Sequence, residues 1–431
     1  MARDLTKIGI TGNAPLEADG SIAARLADPN VVASTGAVWL RLNFVERRGK
    51  WLKRYDEIVD GILSKGLNVY GTIGHEALVH DAPIGDTFRT NRLPTHANAG
   101  QQRAWVEQYV DRFEEIIGRF HGRIGVFESF NEPNDFYGGS SALVGSPAWF
   151  AYMLGEIYAA VKPRFPDVTL VSGPLSGTWS NHNQAVAYLD EMYRYGLASL
   201  SWRQGAMPFD GVGYHIYVSE GQYKLDDPRE RYNYSEEVEA NYARFLGDIW
   251  RTIGRHEGAH RKQLWVSEFG WQSGPISEKF QANMIERGID ILANDDRVAM
   301  ATLFCTEDFG KGSPWEATYG LYRQGDFGSG GRKKAWRRYH DIMDGVRGTQ
   351  PPVRDLTEPR LTATASGVRV RAAPTLDAAV LAAAQPGDPL DILENREEAV
   401  TKVGREGKWI YVQTPGRVAG YVAAWYLQPY L

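Results

Sequence analysis

The stretch FESFNEPN at residues 127–134 decides the fold, together with LWVSEFGW at residues 264–271. In both stretches apolar and β-branched residues lead up to a glutamate, and turn-forming residues follow it. We therefore predict Glu132 and Glu268 at points where a strand gives way to a loop. In barrels of parallel strands, the carboxyl ends of the strands carry the chemistry. Two carboxylates at that end could act on one bond as proton donor and as nucleophile or base.

Strand-like runs alternate with amphipathic helical runs over about the first 345 residues, which predicts repeated βα units and a parallel sheet. Eight repeats indicate an α/β fold, a closed (β/α)8 TIM barrel. A doubly wound open sheet is the alternative, but no Gly-rich phosphate turn follows the first strand. The predicted strands are Lys7–Thr11, Val38–Phe44, Leu67–Ile73, Ile124–Phe130, Val168–Ser172, Gly211–Tyr217, Leu264–Phe269 and Ala299–Thr306.

The pattern changes after residue 347. Three prolines fall among polar residues between 348 and 360, a composition that neither a helix nor a central strand tolerates. We interpret this segment as a linker. Short alternating runs separated by turn residues follow over 361–431, which predicts a small all-β barrel or sandwich. The predicted domains are therefore 1–347, the linker 348–360, and 361–431.

Composition narrows the choice of ligand. The formal net charge of −5 gives no basic footprint, which argues against nucleic acid or an anionic membrane as partner. The 13 Trp and 22 Tyr include several in Gly-rich or polar stretches, where they favour a ligand such as a sugar that stacks on aromatic faces. Cys305, the single cysteine, falls in an apolar run and is predicted to be buried. The N-terminus shows no charged and apolar leader, so we expect a soluble chain and leave its compartment open.

The two quoted motifs resemble those of clan A glycoside hydrolases, similar in style to families 5 and 39. In that clan the Asn-Glu-Pro motif of strand 4 supplies the acid/base and a glutamate ending strand 7 is the nucleophile. The resemblance implies that Glu132 is the acid/base, Glu268 the nucleophile, and Asn131 the residue that hydrogen-bonds the sugar 2-hydroxyl. It implies a retaining enzyme that cleaves O-glycosidic bonds, with β-linkages expected, by double displacement.

Other positions match the clan as substrate-site residues. His215 and Tyr217 share one face of a strand by alternation, and the resemblance implies that the Tyr217 hydroxyl donates to the nucleophile. Arg41 matches an arginine placed beside the nucleophile, so we expect Arg41 and Tyr217 to keep the pKa of Glu268 low. His75 ends the third strand, where family 5 enzymes commonly hold a substrate-binding histidine.

A stacking aromatic is expected after strand 8. Trp315 is the first candidate, with Trp179 and Trp271 behind it. The chain has no Cys or His cluster with zinc spacing, no nucleophile elbow and no phosphate loop. An enolase-type barrel would need carboxylates at the ends of several successive strands, and strands 3, 5 and 6 do not offer them. We therefore predict neither a metal nor another cofactor.

The tail from Gly367 to Leu427 resembles a bacterial SH3-like domain, which implies cell-wall peptides or glycans as candidate partners and an envelope-associated or secreted role. A purely structural accessory module is the other interpretation. Two alternatives to hydrolysis stay open at this stage. One is a non-catalytic glycan- or cell-wall-binding protein on a barrel scaffold, and the other is a transglycosylase that uses the same covalent intermediate.

Overall fold

A computed structural model describes residues 3–12, 28–46, 49–78, 99–136, 145–218, 228–309, 317–346, 361–394, 396–414 and 418–429. The chain divides into two compact units, Met1–Arg354 and Asp355–Leu431. The predicted linker, residues 348–360, lies outside the described residues.

Eight parallel strands of the first unit close into a barrel in the order of the sequence, with the first strand paired to the eighth. This confirms the predicted (β/α)8 barrel. Most strand residues are buried because a parallel barrel has helices on its outside and side chains filling its interior. The strands are β1 (Ile8–Gly12), β2 (Trp39–Asn43), β3 (Asn68–Ile73), β4 (Val126–Ser129), β5 (Thr169–Thr178), β6 (Gly211–Tyr217), β7 (Leu264–Phe269) and β8 (Val298–Leu303).

Amphipathic helices connect these strands. In the second helix the apolar residues recur three and four positions apart and are buried, whereas the residues between them face water. Gly66 follows that helix with φ of 74°, the left-handed conformation that ends helices, and its N–H donates to Leu63 O at 2.9 Å. The helices are α1 (Pro29–Ser34), α2 (Trp51–Ser64), α3 (Ala99–Phe120), α4 (Pro147–Val161), α5 (His182–Ser199), α6 (Pro228–Glu257), α7 (Ser273–Ile276), α8 (Glu278–Asn294) and α9 (Lys334–Met343).

Strand β5 is longer than the sequence predicts. Gly173 and Pro174 indicate a strand end after Ser172, but β5 continues to Thr178, and its pairing with β6 shifts register across these residues. A Cβ on Gly173 would lie 2.3 Å from Ser129 O, so only glycine lets β5 approach the end of β4 this closely. Pairing with β6 on the far side of the irregularity overrides the local turn signal.

The barrel interior is layered. Tyr70, Val126, Val171 and Met300 form a buried apolar layer, and the Tyr70 ring stacks on Trp265 with centroids 5.7 Å apart. Side chains on a strand alternate between its two faces, so the next inward-pointing residues lie two positions further along, and here they are polar. This polar layer contains Arg41, Thr72 and Glu128, all nearly inaccessible to solvent. The candidate site is built on top of it.

The described residues of the second unit form mainly β-strands, with a short α-helix and a 3-10 turn, which agrees with the predicted small all-β module. A five-stranded antiparallel sheet has the order β11 (Val380–Ala384), β10 (Val368–Arg371), β14 (Ala419–Ala423), β13 (Trp409–Gln413) and β12 (Asp391–Ile392). A further strand, β15 (Leu427–Pro429), pairs with β9 (Leu361–Ala363). Its core is a separate apolar cluster that includes Val370, Ile410 and Val422. The short helix is α10 (Arg396–Lys402).

Candidate active site

The two predicted carboxylates, Glu132 and Glu268, both lie at the carboxyl end of the barrel strands. Glu268 belongs to β7, where it is paired in register with His215 of β6. Glu132 follows β4 on an irregular backbone, with φ of 69° at Phe130 and 46° at Glu132. The Glu132 N–H donates to Pro174 O at 3.0 Å, so the extended part of β5 holds this turn in place.

Their side chains converge. Carboxylate oxygens of Glu132 and Glu268 and a ring nitrogen of His215 all lie within 4.8 Å of one another. His215 Nδ1 is 2.7 Å from Glu132 Oε1 and 3.5 Å from Glu268 Oε2, so one imidazole bridges both carboxylates. Such a donor set has the spacing of a metal cluster, but the Arg41 guanidinium already compensates the Glu268 charge. We therefore interpret these atoms as acid/base groups and identify no metal ligand among them, so the expectation of no cofactor stays a prediction.

Arg41 connects the nucleophile candidate to the barrel interior. Its Nη1 donates to Glu268 Oε1 at 2.6 Å, while Nη2 donates to Asn131 Oδ1 at 2.8 Å and to Glu128 Oε1 at 2.7 Å. A guanidinium presents its donors in a rigid planar fork, so these three bonds fix its orientation. The two carboxylates outweigh the opposing effect of burial, and the pKa of Arg41 is raised.

Glu128 is a site residue that the sequence reasoning missed. It has no solvent exposure, and it accepts hydrogen bonds from Tyr70 Oη at 2.6 Å and Thr72 Oγ1 at 3.2 Å in addition to those from Arg41. A signal for it was available in the stretch 127–134, because a charged residue inside a buried apolar strand needs a buried partner. Its structural effect is to anchor the side of Arg41 that faces away from Glu268.

Burial dominates the titration of Glu268. It raises the pKa of this carboxyl above the ordinary value, although His215, Arg41 and the Tyr217 hydrogen bond all favour the charged form. Tyr217 Oη donates to Glu268 Oε2 at 2.7 Å, the contact that the resemblance implied. The expectation that Arg41 and Tyr217 keep this pKa low is therefore wrong in net direction. Burial also lowers the pKa of His215 below the ordinary value for histidine.

His75, Trp315 and Trp271 are three further residues that were predicted to contact a substrate. His75 follows β3, pairs with Glu76 at 3.4 Å and packs against the Phe130 ring. Trp315 lies outside the described residues. Trp271 is 2% exposed and packs between Phe269 and Tyr242, so it cannot present a face to a ligand.

Trp179 is available to a ligand. It is 41% exposed directly after β5, and the Arg244 guanidinium lies 5.6 Å from its ring. Aromatic residues also flank Tyr217: its ring meets Tyr319 at 5.6 Å and Phe304 at 6.5 Å. Sequence reasoning did not assign Phe304, because it lies in a continuous apolar run that reads as core. Cys305 beside it is buried, as predicted.

Comparisons with known proteins agree with this architecture. Residues 366–428 match the family model of the bacterial SH3 domain. No curated protein sequence matches the chain. Across the part of the chain that the structure describes, no helix has the length and apolar character needed to span a bilayer.

Similar solved structures share the barrel fold. A family 39 glycoside hydrolase from the gut symbiont Bacteroides cellulosilyticus WH2 is 12% identical, with 98% of this chain and 81% of that chain covered and a TM-score of 0.53. GH5_18 from Streptomyces cattleya, in complex with GlcNAc, is 16% identical, with coverages of 82% and 83% and a TM-score of 0.52. The exo-beta-1,4-mannosidase Op5Man5 from Opitutaceae bacterium strain TAV5 is 16% identical, with coverages of 83% and 64% and a TM-score of 0.52.

Proposed function

We propose that this protein is a retaining glycoside hydrolase that cleaves β-linked O-glycosidic bonds in an oligo- or polysaccharide. The observation that carries the proposal is the approach of Glu132 and Glu268 oxygens to within 4.8 Å at the carboxyl end of the barrel. Retaining enzymes hold their two carboxyl groups about 5–5.5 Å apart, whereas inverting enzymes leave about 6.5–9.5 Å for a water molecule. The similar folds of the family 39 and GH5_18 glycoside hydrolases support the assignment as a glycoside hydrolase.

In the first step Glu268 attacks the anomeric carbon while Glu132 gives its proton to the departing glycosidic oxygen. Glu268 must be ionised to attack, and the hydrogen bonds from Arg41 and Tyr217 oppose the burial that would protonate it. In the second step Glu132 takes a proton from water, and the hydroxide so formed displaces Glu268 from the sugar. Asn131, held by Arg41, is the proposed partner of the sugar 2-hydroxyl, and Trp179 a proposed stacking surface.

The domain boundaries belong to the proposal. We propose a catalytic barrel over 1–347, a linker over 348–360 and an SH3-like module over 361–431. The module would bring the catalytic barrel to cell-wall glycan or peptide, which would place the protein at or outside the cell envelope. The match of residues 366–428 to the bacterial SH3 domain supports the module itself.

The test measures release of the aryl leaving group from a panel of α- and β-linked aryl mono- and oligosaccharides. We expect at least one β-glycoside to be hydrolysed, and Glu268→Ala to be inactive until azide restores turnover as the α-glycosyl azide. The control is Glu115→Ala on the exposed face of α3, which should keep wild-type activity with or without azide.

Four outcomes would contradict parts of the proposal. Turnover by Glu268→Ala without azide would remove the nucleophile assignment. A first-formed sugar of inverted configuration would remove the retaining mechanism. Binding of glycans without any turnover of the panel would favour the non-catalytic alternative, and transfer to a sugar acceptor in preference to water would favour a transglycosylase.

A further inference from the structure

A third carboxyl group lies next to the proposed acid/base. Asp135 follows Glu132 by three residues, in the 3-10 turn Pro133–Phe136. Its backbone N–H donates to Glu132 O at 3.1 Å, which folds the turn back on itself. This turn brings the Asp135 carboxyl close enough to Glu132 for a hydrogen bond between the two carboxyl groups.

Residues at the end of β5 and at the start of α5 orient Asp135. Asn181 Oδ1 accepts the Thr178 N–H at 2.6 Å, which turns the amide nitrogen of Asn181 toward Asp135 Oδ1, 3.3 Å away. The Ser176 hydroxyl is a second donor to Asp135. These donors occupy acceptor sites of the Asp135 carboxyl. Two carboxyl groups can form a hydrogen bond only when one of them carries a proton.

The surroundings favour a single proton on the pair. Although Asp135 as a residue is exposed, burial of its carboxyl and the adjacent Glu132 charge raise its pKa to about 7. His215 lies close enough to oppose this rise. The groups that face the pair or its immediate neighbours from other strands are Arg41 of β2, His215 and Tyr217 of β6, and Glu268 of β7.

We propose that Asp135 is a positioning residue that shares one proton with Glu132 and so keeps the acid/base protonated at neutral pH. The inference rests on the proposed role of Glu132. In the first chemical step the shared proton moves to the leaving oxygen as its bond to the anomeric carbon breaks, and the pair becomes doubly negative. In the second step the pair regains a proton from water as the water oxygen bonds to that carbon.

Carboxyl 13C NMR titration tests proton sharing without any substrate. In the wild-type chain the Asp135 resonance should titrate near neutral pH, and in Glu132→Gln its midpoint should fall toward about 4, the ordinary value for aspartate. A midpoint near 4 in the wild type, or one that Glu132→Gln leaves unchanged, would overturn the proposal. This result does not depend on whether the protein hydrolyses glycosides.

The pH dependence of kcat/KM tests the consequence for catalysis. Asp135→Asn keeps the size of the side chain but removes the shared negative charge. We expect the basic limb to move to lower pH by about one unit, because Glu132 then loses its proton more readily. We also expect kcat to fall for poor leaving groups, which need the proton, and to change little for activated ones.

Asp111→Asn on the exposed face of α3 is the matched control, and it should leave both limbs in place. Equal losses of kcat for good and poor leaving groups, with an unmoved basic limb, would show a merely structural role for Asp135. If azide rescues Glu268→Ala while Asp135→Asn leaves the limb unmoved, this inference fails and the proposed hydrolase stands.

Discussion

Removal of Arg41 should destabilise the barrel in a pH-dependent way. Arg41 lies between Glu128, which has no solvent exposure, and Glu268, which is 9% exposed. In Arg41→Gln both carboxylates remain without their cation. Breaking a buried ion pair by removing one partner costs about 3–5 kcal/mol. At about 2 °C per kcal/mol for a large domain, the barrel transition at pH 8 should fall by about 6–10 °C.

The sign of the pH dependence follows from linkage. Burial raises the folded-state pKa of Glu268 above the unfolded value for glutamate, about 4.3, and loss of the Arg41 charge raises it further. Such groups stabilise the fold below the unfolded pKa, and this stabilisation is lost as pH rises through the folded-state pKa. The variant should therefore lie closer to wild type at pH 5 than at pH 8. Its kcat/KM at pH 7 should also fall, because a protonated Glu268 cannot attack.

Differential scanning calorimetry of the wild type and three variants tests this electrostatic role of Arg41. Arg41→Gln combined with Glu128→Gln should recover part of the midpoint lost by Arg41→Gln, since one unpaired charge has been removed. Arg338→Gln, which breaks a half-buried surface pair with Glu286, should cost less than about 1 kcal/mol. If Arg41→Gln lowers the midpoint equally at pH 5 and pH 8, or if Glu128→Gln brings no recovery, the electrostatic account of this layer is wrong.

Three further predictions concern single side chains. Tyr217→Phe removes a hydrogen bond to the charged form of Glu268 and raises its pKa further, so the acid limb of kcat/KM should move up by about one pH unit; an unmoved limb would contradict the contact. Burial lowers the pKa of His182, so the unfolded chain binds a proton there more readily than the folded chain, and the fold loses stability as pH falls below about 6.5. The calorimetric midpoint of His182→Gln should therefore fall less between pH 7 and pH 5 than that of the wild type. Trp179→Ala should raise KM for oligosaccharides with little effect on the calorimetric midpoint, whereas Trp271→Ala should lower the free energy of unfolding by about 3–5 kcal/mol. The reverse pattern would contradict the exposed position of Trp179 and the buried position of Trp271.

The sequence predicted the barrel well because its signals are local. All eight strands were found from alternation and flanking turns, and the positions of Glu132 and Glu268 at strands 4 and 7 followed from counting. Strand β5 was cut short at Gly173 and Pro174, because the pairing that carries it on to Thr178 comes from β6, which lies about 40 residues away in sequence.

The candidate site was predicted less completely. Contacts of Arg41 and Tyr217 with Glu268 agree with the resemblance, but Glu128 and Asp135 gain their surroundings only when several strands meet. The direction of the Glu268 pKa shift was wrong for the same reason, since burial depends on every element around the site. Trp271 was considered as a stacking residue because its sequence neighbourhood gives no indication of which way the ring packs.

The two proposed catalytic carboxylates lie on different kinds of backbone. Glu268 is part of β7, in register with His215, whereas Glu132 lies after β4 on a left-handed turn, where its N–H donates to Pro174 O. Insertions or substitutions in the loop after β4 can therefore re-aim the proton donor while the attacking oxygen keeps its place. Changes in the loop after β4 can therefore adapt the proposed enzyme to different leaving groups, while β7 keeps the nucleophile in the same position.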